Sequence, residues 1–357
     1  MSLTRRTRMS KLLEIFLGAS MIPSRIIVLV LLSLGGGASA LAADSVPPQQ
    51  CWTPASLAGT ASKIKHQPGK GALDIAALKA VSLPPPKPVS PELRGLIGSV
   101  ELPPDRKLIA LTFDLCEESG YVSGYDGRIV DLLRAQGIKA TFFAGGKWME
   151  THPERASQLI ADPLFEIGSH GLRHLDLSRA NEATLSDEII LTEAAYARAK
   201  TALASRQCIL GEAAPEPPER LTLLRFPFGR CNAKALAAAG DAGLLAVQWD
   251  LVTGDPDPRV SAKTIANTIL TRAHPGAIVV AHANGRGRNT AAALAIALPK
   301  LKQQGYSFVT VSELLEAGKP VIAQACSQPK TGKLRRTARA SKQRSAHDLF
   351  PFFNRRN

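Results

Sequence analysis

Aromatic residues are scarce, at 5% of the 357 residues. That leaves few rings on which bases could stack, which argues against a nucleic-acid surface. The five cysteines, Cys51, Cys116, Cys208, Cys231 and Cys326, contain no C-x-x-C pair. A zinc ribbon and a thioredoxin-type redox motif are therefore unsupported. No apolar run reaches the roughly 20 residues needed to cross a bilayer as a helix, and no internal repeat is present. With 45% hydrophobic and 21% charged residues, the chain is neither wholly disordered nor collagen-like. Its length suits one large domain or two average ones.

The formal net charge of +14 invites a nucleic-acid or membrane reading until it is located. Residues 1–43 carry five basic residues against Glu14, and residues 330–357 carry nine against Asp348. The stretch between is left with only +2. The basic character belongs to the two ends, so no nucleic-acid partner is expected.

The N-terminus reads as an export signal. Arg25 precedes the apolar run Ile26–Leu34, and Ala38-Ser39-Ala40-Leu41-Ala42-Ala43 offers small-residue cleavage sites. The expectation is a signal peptide over 1–43, with Met21 as an alternative start, and a periplasmic or secreted product. Oxidising surroundings permit disulfides, and the odd count leaves one thiol over. Cys116 and Cys231 each follow a proposed site motif, so strand ends meeting at one mouth could bring them within the roughly 7 Å that a disulfide allows. They are expected to pair, and Cys51 is expected to pair with Cys326.

Residues 44–106 are rich in proline, with Leu83-Pro84-Pro85-Pro86-Lys87-Pro88 the densest part. Such composition favours extended chain and loops, with a short helix near Leu73–Val81. From 107 to 317, apolar strand-like runs alternate with helical segments. The strands are Leu108–Phe113, Ala140–Phe143, Phe165–Gly168, Leu223–Phe228, Leu245–Leu251, Ala277–Ala283 and Ser307–Val311. Thr151 with Glu154 suggests a capping box opening a helix to Ile160. The pattern predicts an α/β fold: a single distorted β/α barrel with about seven parallel strands. Residues 318–357 read as a basic, disordered tail, suited to electrostatic attachment to an anionic envelope.

In a parallel barrel, chemistry gathers at the C-terminal strand ends. Those ends carry Thr112-Phe113-Asp114-Leu115-Cys116, Ser169-His170-Gly171-Leu172-Arg173-His174, Arg225-Phe226-Pro227-Phe228-Gly229, Trp249-Asp250 running to Asp255, and Ala281-His282-Ala283. Each residue has a bland reading alone: Asp114 as a loop cap, His282 as a core histidine, Arg225 as a surface charge. Together on successive strand ends they make a carboxylate and imidazole cluster suited to metal-assisted hydrolysis.

The order of these motifs resembles the polysaccharide deacetylases of carbohydrate esterase family 4. Lys139-Ala140-Thr141-Phe142-Phe143 after Gly137 adds to the match, which covers about 107–317. The resemblance implies Asp114 as catalytic base, His170 and His174 as ligands of a divalent metal, usually Zn²⁺, and Arg225 as the residue that orients the base. It further implies Asp255 supporting the general acid His282, and the Phe228 backbone N–H steadying an oxyanion. Trp249, at its strand end, is expected on the substrate side. The implied substrate is an acetylated amino-sugar polysaccharide, peptidoglycan or chitin-like. Three positions depart from the pattern: Leu115 replaces a metal-binding aspartate, Gly171 a serine or threonine, and Pro256 a tryptophan. A substitute carboxylate is expected among Glu117, Glu118 and Asp126. The alternative is a glycan-binding pseudoenzyme with a degenerate metal site.

Overall fold

The computed structural model describes residues 51–59, 65–66, 73–206, 216–323 and 326. The expected signal peptide and the basic stretch from residue 330 lie outside the described residues. So does Cys208.

A parallel strand covered on both faces is built from a nearly unbroken apolar run, and Leu108–Leu115 is such a run, buried from Ile109 onward. It is β2 of a ten-stranded sheet. The others are β1 (Leu96–Glu101), β3 (Ala140–Ala144), β4 (Phe165–Ser169), β5 (Leu223–Leu224), β6 (Leu245–Val247), β7 (Leu251–Val252), β8 (Ile278–His282), β9 (Ser307–Val309) and β10 (Lys319–Ala323). The order is β10-β1-β6-β5-β4-β3-β2-β8-β7, with β9 beside the start of β2. Only the β10–β1 pair within this order is antiparallel.

The sheet curls because one segment serves both ends of that order. β6 pairs with β1 and β5, while β7, four residues further on, pairs with β8. An antiparallel bridge between Ser99 and Ala277, and a bond from Val100 N to Gly276 O at 2.9 Å, tie β1 to the start of β8. The result is the expected distorted barrel.

Alternation along β2 divides the core. Ile109, Leu111, Phe113 and Leu115 join helix residues such as Ile129, Leu133, Leu298 and Leu301. Ala110 joins Ile97, Phe143, Val247, Ile278 and Val280 in a second, smaller cluster. Because strand side chains alternate, Thr112 and Asp114 share the face of Ala110.

Several expectations are corrected. The sheet extends past 107–317 on both sides, through β1 and β10. Both are short apolar runs next to prolines, a context in which sequence pattern alone suggests loop. Thr151 does not open the helix to Ile160 but ends the helix Gly146–Thr151. Its hydroxyl folds back to within 3.0 Å of the Lys147 carbonyl and 3.2 Å of the Trp148 carbonyl. The next helix starts at Pro153, whose fixed φ and missing N–H suit a first helical position. Leu223–Phe228 is a strand only to Leu224, after which Pro227–Gly229 turns. The disulfide expectation is also wrong. Cys231 is bonded to Cys326 across 95 residues, Cys51 is disulfide-bonded elsewhere, and Cys116 is a buried free thiol.

Candidate active site

Sheet register brings the site together. Asp114 is the parallel partner of both His282 on β8 and Phe143 on β3. Ser169 is the partner of Ala144 and Leu224. His170 N then bonds to Ala144 O at 3.0 Å, and Arg225 N to Ser169 O at 2.8 Å. Asp114, His170, Arg225 and His282 thus leave the sheet at one level, as their strand-end positions predict.

Arg225 is fully buried, which for a guanidinium requires partners on every side. Its Nη1 donates to Asp114 Oδ1 at 2.8 Å and its Nη2 to Gln248 O at 3.0 Å. The guanidinium lies 4.0 Å from the Phe143 ring centroid and 5.3 Å from that of Trp249. Trp249 is buried in the smaller core cluster, where its ring backs Arg225. The other oxygen of Asp114, Oδ2, is 3.5 Å from His170 Nε2 and 4.0 Å from His282 Nε2. Burial pushes the Asp114 carboxyl up, but the His170 and His282 imidazoles, when protonated, together with the Arg225 charge outweigh it and hold it below the usual carboxylate range.

His170 Nδ1 lies 2.8 Å from the Arg225 carbonyl oxygen. A carbonyl only accepts, so Nδ1 carries the proton and Nε2 keeps its lone pair. That arrangement orients a metal-ligating imidazole. Burial lowers the basicity of both His170 and His174, which favours the neutral form that binds metals. The two rings meet edge to face with centroids 5.0 Å apart.

His282 is held from two sides by Asp255. Asp255 Oδ1 is 3.0 Å from His282 Nδ1, and Oδ2 accepts from the His282 backbone N–H at 2.7 Å. Thr253 and Thr290 hydroxyls donate to the same carboxylate at 3.0 and 2.7 Å. Burial would lower the His282 pKa, yet the Asp255 charge and hydrogen bond overcome this and raise it. Phe228 occupies the left-handed region at φ 60° and presents its ring 4.4 Å from that of His174.

The expected substitute carboxylates are occupied elsewhere. Glu117 accepts from Ser123 N and Thr151 Oγ1, both at 3.0 Å, with Lys147 Nζ at 3.3 Å. Asp126 caps the helix Gly127–Ala135 and grips Arg128. Glu118 pairs with Arg286 and comes no nearer than 3.8 Å to His174 Nδ1. Leu115 faces the helix-side core and is fully buried. Sequence reasoning missed Cys116 as a donor, having treated it as half of a disulfide. One donor atom each from Cys116, His170 and His174 lie within 4.8 Å of one another, all three residues buried. Two imidazoles and a thiol suit a borderline-soft divalent ion such as Zn²⁺.

The polysaccharide deacetylase family profile matches residues 101–247. A peptidoglycan-N-acetylglucosamine deacetylase of Bacillus cereus is 34% identical over 220 residues, which cover 60% of this chain and 91% of that protein. The crystal structure of a peptidoglycan N-acetylglucosamine deacetylase aligns at TM-score 0.50 and 28% identity, covering 63% of this chain and 94% of that one. A CE4 family pseudoenzyme from Bacillus anthracis shares the fold, with TM-score 0.52 at 23% identity over 62% of this chain and 69% of that one. Sequence likeness, fold and strand-end residues agree: the chain belongs to the polysaccharide deacetylase family.

Proposed function

We propose that this chain is an exported, metal-dependent hydrolase that removes N-acetyl groups from amino-sugar polymers, peptidoglycan or chitin-like. The observation that carries the reading is Asp114. One oxygen is fixed by Arg225 at 2.8 Å, and the other faces both a metal-type histidine at 3.5 Å and the Asp255-supported His282 at 4.0 Å. A base and an acid thus stand on either side of one reaction space, as amide hydrolysis requires.

A divalent ion at His170 and His174, when bound, polarises the acetamide carbonyl and lowers the pKa of water. Asp114 Oδ2 takes the proton of the attacking water, while Arg225 keeps Oδ1 engaged and the carboxylate ionised. His282 Nε2 delivers a proton to the departing sugar amine, and Asp255 steadies the imidazolium through Nδ1–H. The backbone N–H of Phe228, in its left-handed turn, supplies the oxyanion donor. Trp249 acts through Arg225, whose guanidinium it backs. Export is supported by the apolar run ahead of small residues and by the Cys231–Cys326 disulfide, a bond favoured in oxidising compartments.

The pseudoenzyme reading draws on Leu115 alone, whereas both polar pairs, Asp114–Arg225 and His282–Asp255, are intact. Acetate release from N-acetylated chitooligosaccharides and from peptidoglycan by the Zn²⁺-loaded full chain tests the choice. Release that disappears in Asp114→Asn supports the hydrolase. Metal-loaded protein that binds glycan and frees no acetate favours the pseudoenzyme. Export is tested by N-terminal sequencing of the protein outside the cytoplasm, which should begin near Ala40–Asp44.

A further inference from the structure

We propose that Cys116 is the third protein ligand of the metal centre, making it a thiolate–imidazole–imidazole site. This rests on the metal-dependent reading only for the presence of an ion, and not for any step of the reaction.

Among the described residues no carboxylate comes within 4.8 Å of both histidine donor atoms, as Cys116 does. Leu115 cannot coordinate, Glu117 and Asp126 serve other partners, and Glu118 is paired with Arg286. One residue past Leu115 the chain leaves the strand, and there Cys116 turns its sulfur to the histidines. The donor atoms lie within 4.8 Å of each other. Tetrahedral Zn²⁺ with bonds of about 2.0–2.3 Å needs donors roughly 3.5 Å apart, so contraction by at most about 1.3 Å closes the site.

Cys116 is held for the task. Its carbonyl accepts from Ser123 Oγ at 2.6 Å and from Asn284 Nδ2 at 3.0 Å, which fixes the backbone. Asn284 Nδ2 also lies 3.2 Å from Cys116 Sγ, placing a donor on the sulfur. Burial outweighs the nearby Arg286 charge and pushes the Cys116 thiol up, so an ion would bind the sulfur by displacing its proton. Among the described cysteines the other three are in disulfides, so Cys116 is the one thiol available to an ion. A sulfur donor shifts preference toward Zn²⁺ and Co²⁺ and away from Mg²⁺ and Mn²⁺, which favour oxygen.

The test is cobalt substitution of the full chain, with its disulfides intact, read by absorption spectroscopy. Co²⁺ bound by wild type should show a near-ultraviolet thiolate-to-cobalt charge-transfer band at one ion per chain. Cys116→Ser should lose the band and weaken Zn²⁺ binding at least about tenfold. Cys116→Asp should lose the band while keeping much of the affinity. His170→Ala should lose both band and ion. Wild-type protein that binds Co²⁺ without the band, or a Cys116→Ser variant that keeps it or retains full Zn²⁺ affinity, would overturn the assignment. The wild-type spectrum decides the matter even if a variant does not fold. Acetate release is measured separately: a band without acetate sinks the deacetylase reading and leaves the ligand in place, and acetate without a band does the reverse.

Discussion

His174 and Phe228 are the two non-glycine residues with positive φ among the described residues, at 58° and 60°, and their rings meet at 4.4 Å. For residues with a Cβ, left-handed backbone costs on the order of 1–2 kcal/mol each. Both lie at the mouth of the barrel, one carrying a proposed ligand and the other the proposed oxyanion donor. The strain therefore sits where side-chain and amide direction matter. Phe228→Ala keeps a Cβ on the turn but removes the ring that braces His174. Metal retention in dialysis against a chelator should fall by about tenfold, as when a ligand loses its outer support. Unchanged retention would show that the ring does not orient His174.

In the proposed mechanism the Arg225–Asp114 pair sets the acid limb of the reaction. Against its burial, Asp114 is held below the usual carboxylate range by His170, Arg225 and His282. A base works when deprotonated, so this lowering extends activity toward acid. Removing Arg225 should raise the Asp114 pKa and move the acid limb of kcat/KM to higher pH. Arg225→Lys keeps the charge without the planar fork and tests the shift with the smaller risk to folding. Arg225→Ala leaves a buried carboxylate without its partner and should cost about 3–5 kcal/mol of stability, read by denaturant unfolding.

In the same proposed mechanism Asp255 sets the alkaline limb. His282 holds its proton to higher pH than an ordinary histidine because the charge and hydrogen bond of Asp255 overcome its burial. A general acid works when protonated, so activity falls as pH rises through that raised pKa. Asp255→Asn should move the alkaline limb to lower pH, and His282→Ala should lower kcat by about 10² to 10⁴. A pH–rate profile of the first variant superimposable on wild type would remove Asp255 from this role.

Gly287 lies against the same pair. A Cβ there would sit 2.5 Å from Asp255 Oδ2 and 2.3 Å from both the His282 carbonyl oxygen and Thr290 Oγ1. Gly287→Ala should displace Asp255 and reproduce the Asp255→Asn pH profile in a protein that still retains its metal.

The Cys231–Cys326 disulfide closes a loop of 95 residues that begins just after the Arg225–Gly229 turn. Cross-links over loops of this length restrict the unfolded chain by about 4–5 kcal/mol in the chain-entropy account. Cys326→Ala should lower the unfolding free energy by about that order, with metal content unchanged. Loss of metal in the same variant would mean that the bond also shapes the site.

The sequence by itself determined the strand ends and what they carry. Asp114, His170, His174, Arg225, Asp255 and His282 were legible because each follows an apolar run, and parallel strands of a barrel deliver such ends to one mouth. Tertiary structure alone decided the rest. The strands Leu96–Glu101 and Lys319–Ala323 are short runs near prolines, and only pairing in register makes them part of the sheet. The partner of Cys231 depended on where residue 326 returns, a contact 95 residues distant that no local pattern encodes. Trp249 looked like a substrate residue because it ends a strand, yet its ring is buried behind Arg225. The fate of Leu115 was decided in the same way. Strand alternation puts it among the helices, and the sulfur of the next residue, where the chain leaves β2, comes to stand beside the two histidines.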